Sequence, residues 1–411
     1  MTTSGPDIMT EPTPGPDMRR IDLDWIRIAA FGLLILYHVG MLYVTWTFHV
    51  KSGHRLAALE PFMLALNPWR LVLLFLVSGA ATAFMAGRLR PGRLAGQRSA
   101  RLLPPLIFGM LVIVPPQSYL QVVEGFGYAG SFAEFYRQHY LAFAGQFCAG
   151  GAGRSSCIVM PTWNHLWFVV YLWVYSMLLF GLLALVPGFA RRAESVLTRL
   201  LAGPGLLLWP CIVLAAYRIV LFPRFPETHA LFGDWYAHAL YASAFLLGFL
   251  VARSEAVWHE VEQWRWPALA GALVAYALYL AAYLARQQGL SSEALLFGQR
   301  LVYGIDQWCW IVAVLGFGRR WLPTRDTPAR RYLTDAVFPY YIVHQTAIII
   351  AAHALRDLDL PAWLEASIII LATAATCALT YEIVRRAGWL RPLFGLKPRP
   401  APTADLAPAI R

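Results

Sequence analysis

Ten stretches of about 20 mostly apolar residues constrain this chain more than any other feature in it. They lie roughly at 21–45, 66–87, 102–122, 164–187, 200–221, 236–253, 266–286, 298–318, 335–355 and 362–384. A helix of that length crosses the ~30 Å hydrocarbon core of a bilayer and satisfies its backbone N–H and C=O groups internally. Membrane barrel strands would be about 10 residues long and alternating, which these are not. Of the 411 residues, 58% are hydrophobic and 14% charged, against about 45–50% and about 25% in soluble domains. Those proportions exclude a soluble globular fold and a disordered chain, and no solenoid period repeats. The expected class is all-α, a polytopic membrane protein with about ten transmembrane helices.

The excess of 34 Lys+Arg over 23 Asp+Glu would suit nucleic acid if the cations were pooled on one domain. They are instead sorted by loop. If the N-terminus is cytoplasmic, the inside segments hold 23 cations, in runs such as Arg88–Arg101, Arg319–Arg331 and from Arg385 onward, and the outside segments hold seven. The positive-inside rule then places both termini in the cytoplasm, with no nucleic-acid partner and the lipid bilayer as the first partner. The expected organisation is a Pro-rich leader over 1–20, a ten-helix domain over 21–384 and a basic, Pro-rich tail over 385–411. The first apolar segment is too long for a signal peptide and lacks a small-residue cleavage site. Cys148 and Cys157 share the long outside loop between helices 3 and 4, where a disulfide forms if that side is oxidising. No CxxC, HExxH, Walker or GxGxxG pattern points to a metal or nucleotide site; no metal and no bound cofactor are expected.

Ionisable groups in hydrocarbon cost roughly 2.5–3.5 kcal/mol each, so those that remain mark a site or a wet path. Helix 1 carries Asp24, Arg27 and His38; 11 residues separate the last two, about three whole turns, so they share a face with His38 about 16 Å deeper. Snorkelling of Arg27 and an interhelical bond from His38 explain each alone. The alignment favours a histidine for proton transfer and an arginine for an anion. Arg98 and Arg101 stand one turn apart at the expected cytoplasmic mouth of helix 3, either as a positive-inside anchor or as a phosphate clamp. His165 opens helix 4 among Trp163 and Trp167, an aromatic belt that accounts for the tryptophans alone. Tyr340, Tyr341 and His344 on helix 9, Asp306 on helix 8 and Tyr381-Glu382 at the end of helix 10 add polar groups near mid-depth or at helix ends, walled by helices 1, 2, 4, 8, 9 and 10.

Leu23-Asp24-Trp25-Ile26-Arg27 followed by Leu36-Tyr37-His38 resembles the Arg-x10-His signature of membrane-bound acyltransferase family 3. Arg70 with Phe75-Leu76-Val77-Ser78-Gly79, Arg98-x-x-Arg101 before Leu103-Pro104, Asn164-His165-Leu166-Trp167-Phe168 and Tyr341-Ile342-Val343-His344 are similar to its further motifs. Tyr381-Glu382 and Pro392-Leu393-Phe394-Gly395-Leu396-Lys397-Pro398 resemble its glucan-modifying branch. These matches run in order from residue 21 to 398.

The resemblance implies a bacterial inner-membrane O-acyltransferase that moves an acyl group from cytoplasmic acyl-CoA to a hydroxyl of a periplasmic glucan or other saccharide. Succinyl is the acyl group expected of that branch, and acetyl is the alternative. His38 is then the base or relay. Arg27 holds the donor or orients His38, and Arg98 and Arg101 take the CoA phosphates. Asp24, Arg70, Ser78, His165, Trp167, Tyr341, His344 and Glu382 are expected to line the substrate site without individual roles. No cysteine falls in a matched motif, which speaks against an acyl-cysteine, and Ser78 is a weak candidate for a covalent carrier. A transporter or flippase using Arg27, His38 and Asp306 as a proton or anion path is the competing reading. The missing internal repeat and the lack of paired Gly/Pro-broken segments argue against it. An assembly scaffold leaves the clustered polar residues unexplained.

Overall fold

The computed structural model describes residues 20–86, 89–142, 145–148, 157–323 and 325–398. The leader over 1–19 and the last residues of the tail, 399–411, lie outside the described residues. The helices are α1 Ile21–Tyr43, α2 Glu60–Leu66, α3 Arg70–Ala86, α4 Pro91–Phe108, α5 Pro115–Phe126, α6 Phe132–Phe135, α7 Trp167–Leu185, α8 Phe189–Leu200, α9 Gly205–Ala216, α10 Trp235–Val251, α11 Glu255–Gln263, α12 Arg265–Gln287, α13 Glu293–Trp321, α14 Pro328–Leu355 and α15 Ala362–Arg386. Two short antiparallel strands, β1 Gly145–Cys148 and β2 Cys157–Met160, form a hairpin closed by a Cys148–Cys157 disulfide.

Among the described residues, eight helical segments are long and apolar enough to cross a membrane, or up to ten if each of two bent pairs counts as one span. The chain is an all-α, multi-pass membrane protein. The two doubtful passes are where Phe189–Leu200 meets Gly205–Leu221 at 106° and where Trp235–Val251 meets Glu255–Gln263 at 113°. In each, a span too short for the length criterion is joined to a helix turned nearly at right angles. None of α8 is buried, and it carries Arg191, Arg192 and Arg199, the pattern of a helix lying along an interface.

Proline sets the shape of the third span. Pro104 and Pro105 interrupt the hydrogen-bond ladder of α4, a π turn follows over Gly109–Ile113, and Pro115 restarts the helix as α5. The helix therefore begins at Pro91, well before the expected 102, and Arg98 and Arg101 belong to its wall. At α14, Pro328 sits in the first turn and the Thr327 side chain accepts from Arg330 N at 3.2 Å.

Packing follows small residues. Gly79 of α3 and Gly248 of α10 bring two backbones into contact: a Cβ on Gly79 would lie 1.9 Å from the Phe245 carbonyl oxygen, and one on Gly248 1.9 Å from that of Leu76. On the outer faces of α7, α12 and α15, Leu178, Val274 and Leu371 are exposed, apolar surface of the kind lipid covers.

Two ends of the bundle matter for function. The basic end holds the starts of α1, α4 and α14; the hairpin end holds their far ends, the β-hairpin and the segment between Leu221 and Trp235. There Lys51 donates to the carbonyls of Met41, Val44 and Trp46, capping the C-terminal carbonyls of α1.

Candidate functional site

A single cavity of about 1440 Å3 is lined by residues from both ends of the bundle. Arg20, Asp24, Arg27, Arg98, Arg101 and Lys397 line it at the basic end, and His49, Trp163, Thr228 and His229 at the hairpin end. His38, Arg70, Ser78, His165, Trp167 and Tyr341 line the stretch between.

At the basic end, charge is organised in two layers. Arg20 clasps the Asp22 carboxylate through Nε at 2.9 Å and Nη2 at 2.6 Å. Asp24 accepts from Arg330, whose buried guanidinium also holds Asp326 at 2.6 Å. Asp24 thus fastens α1 to α14, and its loose 3.5 Å contact with Arg27 Nη2 leaves that cation on the cavity wall. Arg98 is buried, with Nε donating to Ser176 Oγ of α7 at 3.3 Å, while Arg101 one turn on is exposed. The chain after α15 folds back across this end. A turn at Pro392–Phe394 packs Phe394 on Phe108, centroids 5.4 Å apart, and places Gly395 to Pro398 in the cavity wall.

Midway, His38 Nδ1 lies 2.9 Å from His344 Nε2, and His344 Nδ1 lies 2.7 Å from the Tyr341 carbonyl oxygen. A carbonyl only accepts, so His344 Nδ1 carries a proton; in a neutral ring its Nε2 is then an acceptor, and His38 Nδ1 donates to it. The network therefore assigns the lone pair of His38 to Nε2, which bonds no described residue. The two rings stack with centroids 5.1 Å apart, and Phe48 covers His38 from another side at 6.1 Å. His344 is fully buried and supports His38 without lining the cavity. Arg27 lies about 16 Å along α1 from His38. At that distance its guanidinium does not contact the imidazole.

Arg70 is 4% exposed and stands over the ring of Tyr37, the neighbour of His38, at 3.2 Å. Its Nη1 reaches only Asn67 Oδ1 at 3.5 Å, its Nε is buried without a hydrogen bond, and among the described residues no carboxylate pairs with it. A desolvated guanidinium beside a cavity and without a counter-ion has the chemistry to pair with an anion. Ser78 lines the same wall two turns further along α3.

His165 has both ring nitrogens engaged. Nε2 donates to the Ile342 carbonyl at 3.1 Å and Nδ1 accepts from the Gln117 amide at 3.4 Å. Gln117 in turn donates to Thr346 and accepts from Asn164 and Gln345, and Tyr341 donates its hydroxyl to the His165 carbonyl. This web stitches α5, α7 and α14 together behind the His38–His344 pair, a closed polar network of the kind that holds one geometry.

Besides His344, the expected polar groups Tyr340, Tyr381, Glu382 and Asp306 do not line the cavity. Glu382 is held by Arg385 and Arg386 on its own helix, at 2.8 and 2.9 Å, and accepts from Tyr332 at 3.0 Å; it ties α15 to α14. Asp306 is fully buried but does not line the cavity, so the path from Arg27 through His38 to Asp306 is not assembled. Sequence reasoning missed Lys397 as a wall residue and missed His229 altogether. His229 is a single histidine in a loop, without periodicity or motif, and the one signal nearby was Glu227 two residues before it.

The model of the type 3 acyltransferases, described as an acyltransferase domain, matches residues 20–382. The chain belongs to that acyltransferase family. Glucans biosynthesis protein C of Shigella boydii serotype 4 and that of Escherichia coli K12 are each 22% identical to it over 406 residues, covering 96% of this chain and 99% of theirs. No solved structure matches. This acyltransferase thus shares both its family and its full span with those glucan proteins.

Proposed function

We propose that this acyltransferase moves an acyl group from acyl-CoA, bound at the basic end, to a hydroxyl of a saccharide that enters from the hairpin end. The observation that carries this reading is the one cavity that joins a cluster of cations, an imidazole with a free Nε2 and an aromatic mouth. With the basic end cytoplasmic, as the loop charges indicate, the protein lies in a bacterial inner membrane and the acceptor stays in the periplasm.

Arg98, Arg101, Arg27 and Lys397 take the phosphates of CoA, a task suited to guanidinium forks. The thioester reaches inward toward His38. His38 Nε2 accepts the proton of the acceptor hydroxyl as its oxygen attacks the thioester carbonyl. The C–S bond breaks, the new C–O bond remains, and the proton on His38 passes to the departing thiolate, giving an ester and CoA–SH. While His38 is doubly protonated, its Nδ1–H bond to His344, anchored on the Tyr341 carbonyl, spreads and stabilises the charge. No step needs a covalent acyl-enzyme. Arg70 supports a dicarboxylic acyl group over acetyl, since an unpaired guanidinium beside the tyrosine next to His38 suits the distal carboxylate of succinyl.

The test offers detergent-purified protein succinyl-CoA or acetyl-CoA with a glucan acceptor and reads released CoA, wild type beside His38→Ala. Acceptor-dependent release, faster with succinyl-CoA and lost in the variant, is the expected result. Undiminished release by His38→Ala removes His38 from the chemistry, and release from acetyl-CoA alone removes the role given to Arg70.

A further inference from the structure

We infer that Glu227 and His229 form the subsite that receives the acceptor, a polyhydroxylated molecule whose hydroxyl is bound by His229 Nδ1. The inference rests on the acyl-transfer reading for the identity of the acceptor as a saccharide, but not for the existence of the site.

Three independent features converge on His229. It lines the hairpin end of the cavity. Its backbone is left-handed, with φ 59°, a conformation that costs a non-glycine residue free energy and persists only where neighbours impose it. The neighbour is Asp234, 1% exposed, whose Oδ2 accepts from His229 N at 2.9 Å, Thr228 N at 3.4 Å and Tyr171 Oη at 2.9 Å. That cage turns the side chain of His229 back onto Trp167, where the rings stack with centroids 4.0 Å apart and planes 17° from parallel.

The third feature is the carboxylate. Glu227 Oε1 lies 2.9 Å from His229 Nε2 and also accepts from the Tyr241 hydroxyl. Burial pushes the Glu227 carboxyl up, but the bonds from His229 and Tyr241 prevail and hold it below the usual range. An ionised carboxylate accepts only, so it fixes the proton of His229 on Nε2 and leaves the Nδ1 lone pair without a described partner. The imidazole side chain is 39% exposed, so the ring is open on the side that Trp167 does not cover.

A histidine locked by a carboxylate, a strained backbone and an indole, at the mouth of a reaction cavity, is built to receive a ligand. Nδ1 takes the proton of a hydroxyl as a hydrogen bond, and the open ring face meets the C–H face of a pyranose, the contact by which aromatic rings hold sugars. A structural histidine would not need an open face or an unused ring nitrogen. His165, with both nitrogens bonded and the whole side chain buried, is that structural case in the same molecule.

The experiment is a calorimetric titration of the detergent-solubilised full chain with a soluble glucan oligosaccharide, without acyl-CoA. His229→Gly keeps the left-handed backbone accessible while removing the ring; Glu227→Gln keeps the shape and removes the charge that fixes the ring. The expected result is a glucan Kd raised about tenfold or more in His229→Gly, the effect of one lost hydrogen bond with its stacking contact, and about threefold in Glu227→Gln. The Kd for acyl-CoA stays within about twofold in both, showing that the fold is intact. Equal glucan affinity in wild type and both variants, or no glucan binding by wild type, overturns the inference. CoA release by the same wild-type sample judges the acyl-transfer reading separately. If His229→Gly also loses acyl-CoA binding, Glu227→Gln decides: unchanged glucan affinity there overturns the subsite.

Discussion

The two ends of the cavity are built from different chemistry. At the basic end, Arg98, Arg101, Arg27 and Lys397 present positive charge, while Asp22 is held by Arg20 and Asp24 is shared by Arg330 and Arg27. At the hairpin end, Trp163, Trp167 and His229 present rings, and the Glu227 carboxylate stands behind the imidazole. The first arrangement suits charge over a range of approach angles; the second suits shape and one hydroxyl direction. On the proposed reading, a ligand with phosphates and a ligand with only hydroxyls have separate doors to His38, and neither has to turn over to react.

The sharpest way to break that comparison is at the centre, where both ligands must meet. His38→Ala should lower acceptor-dependent CoA release by about 10³-fold, within the range of general-base contributions, with the Kd of either ligand unchanged. Next in size is Arg70→Gln. Steady-state kinetics with the two donors should show a loss of about 10²-fold in kcat/KM for succinyl-CoA and little for acetyl-CoA, since only the former leaves a carboxylate without its cation. Equal losses for both would make Arg70 a partner of the thioester oxygen instead. His344→Phe, which keeps the ring volume but removes the acceptor for His38 Nδ1–H, should lower kcat about tenfold to thirtyfold and leave KM alone. Arg98→Ala should raise the KM for acyl-CoA about tenfold and barely touch kcat. The smallest effect separates the two ends directly. Raising ionic strength from low to physiological should weaken acyl-CoA binding several-fold and leave glucan binding unchanged, because screening acts on charge pairs and not on stacking or neutral hydrogen bonds.

The spans were legible because hydrocarbon demands length and apolarity, signals that survive without any tertiary knowledge. The Arg27 and His38 alignment on one face of α1 was legible for the same reason, since helix periodicity is local. The partner of His38 was not. His344 sits more than 300 positions away, and only the packing of α1 on α14 brings the two rings together. Glu382 read as part of the polar centre because its motif lies in the matched order, yet arginines one turn along its own helix claim it. The start of the third span was read too late because the basic run ending at Arg101 breaks the apolar stretch; the helix nevertheless begins at Pro91 and carries its arginines into the bundle. Lys397 was placed in the basic tail and in a stretch resembling the family, but nothing in a short Pro-rich segment announces that it folds back onto α4 and lines the cavity. The Glu227–His229 pair was invisible because loop residues carry no period.

The contact between Gly79 and Gly248 has a mechanical consequence. Helices that touch backbone to backbone have no side chains between them to rearrange, so the slab made by α3 and α10 has almost no compliance. Arg70 and Ser78 are mounted on that slab, and Thr228 and His229 hang from the loop that enters its second helix. Whatever breathing admits a bulky donor or releases an acylated product must come from the opposite side, where α1 meets α14 through side chains that can change rotamer. The fold thus resembles a vice with one fixed jaw, and that jaw carries Arg70 and the loop of His229, the groups proposed to meet the acyl carboxylate and the acceptor.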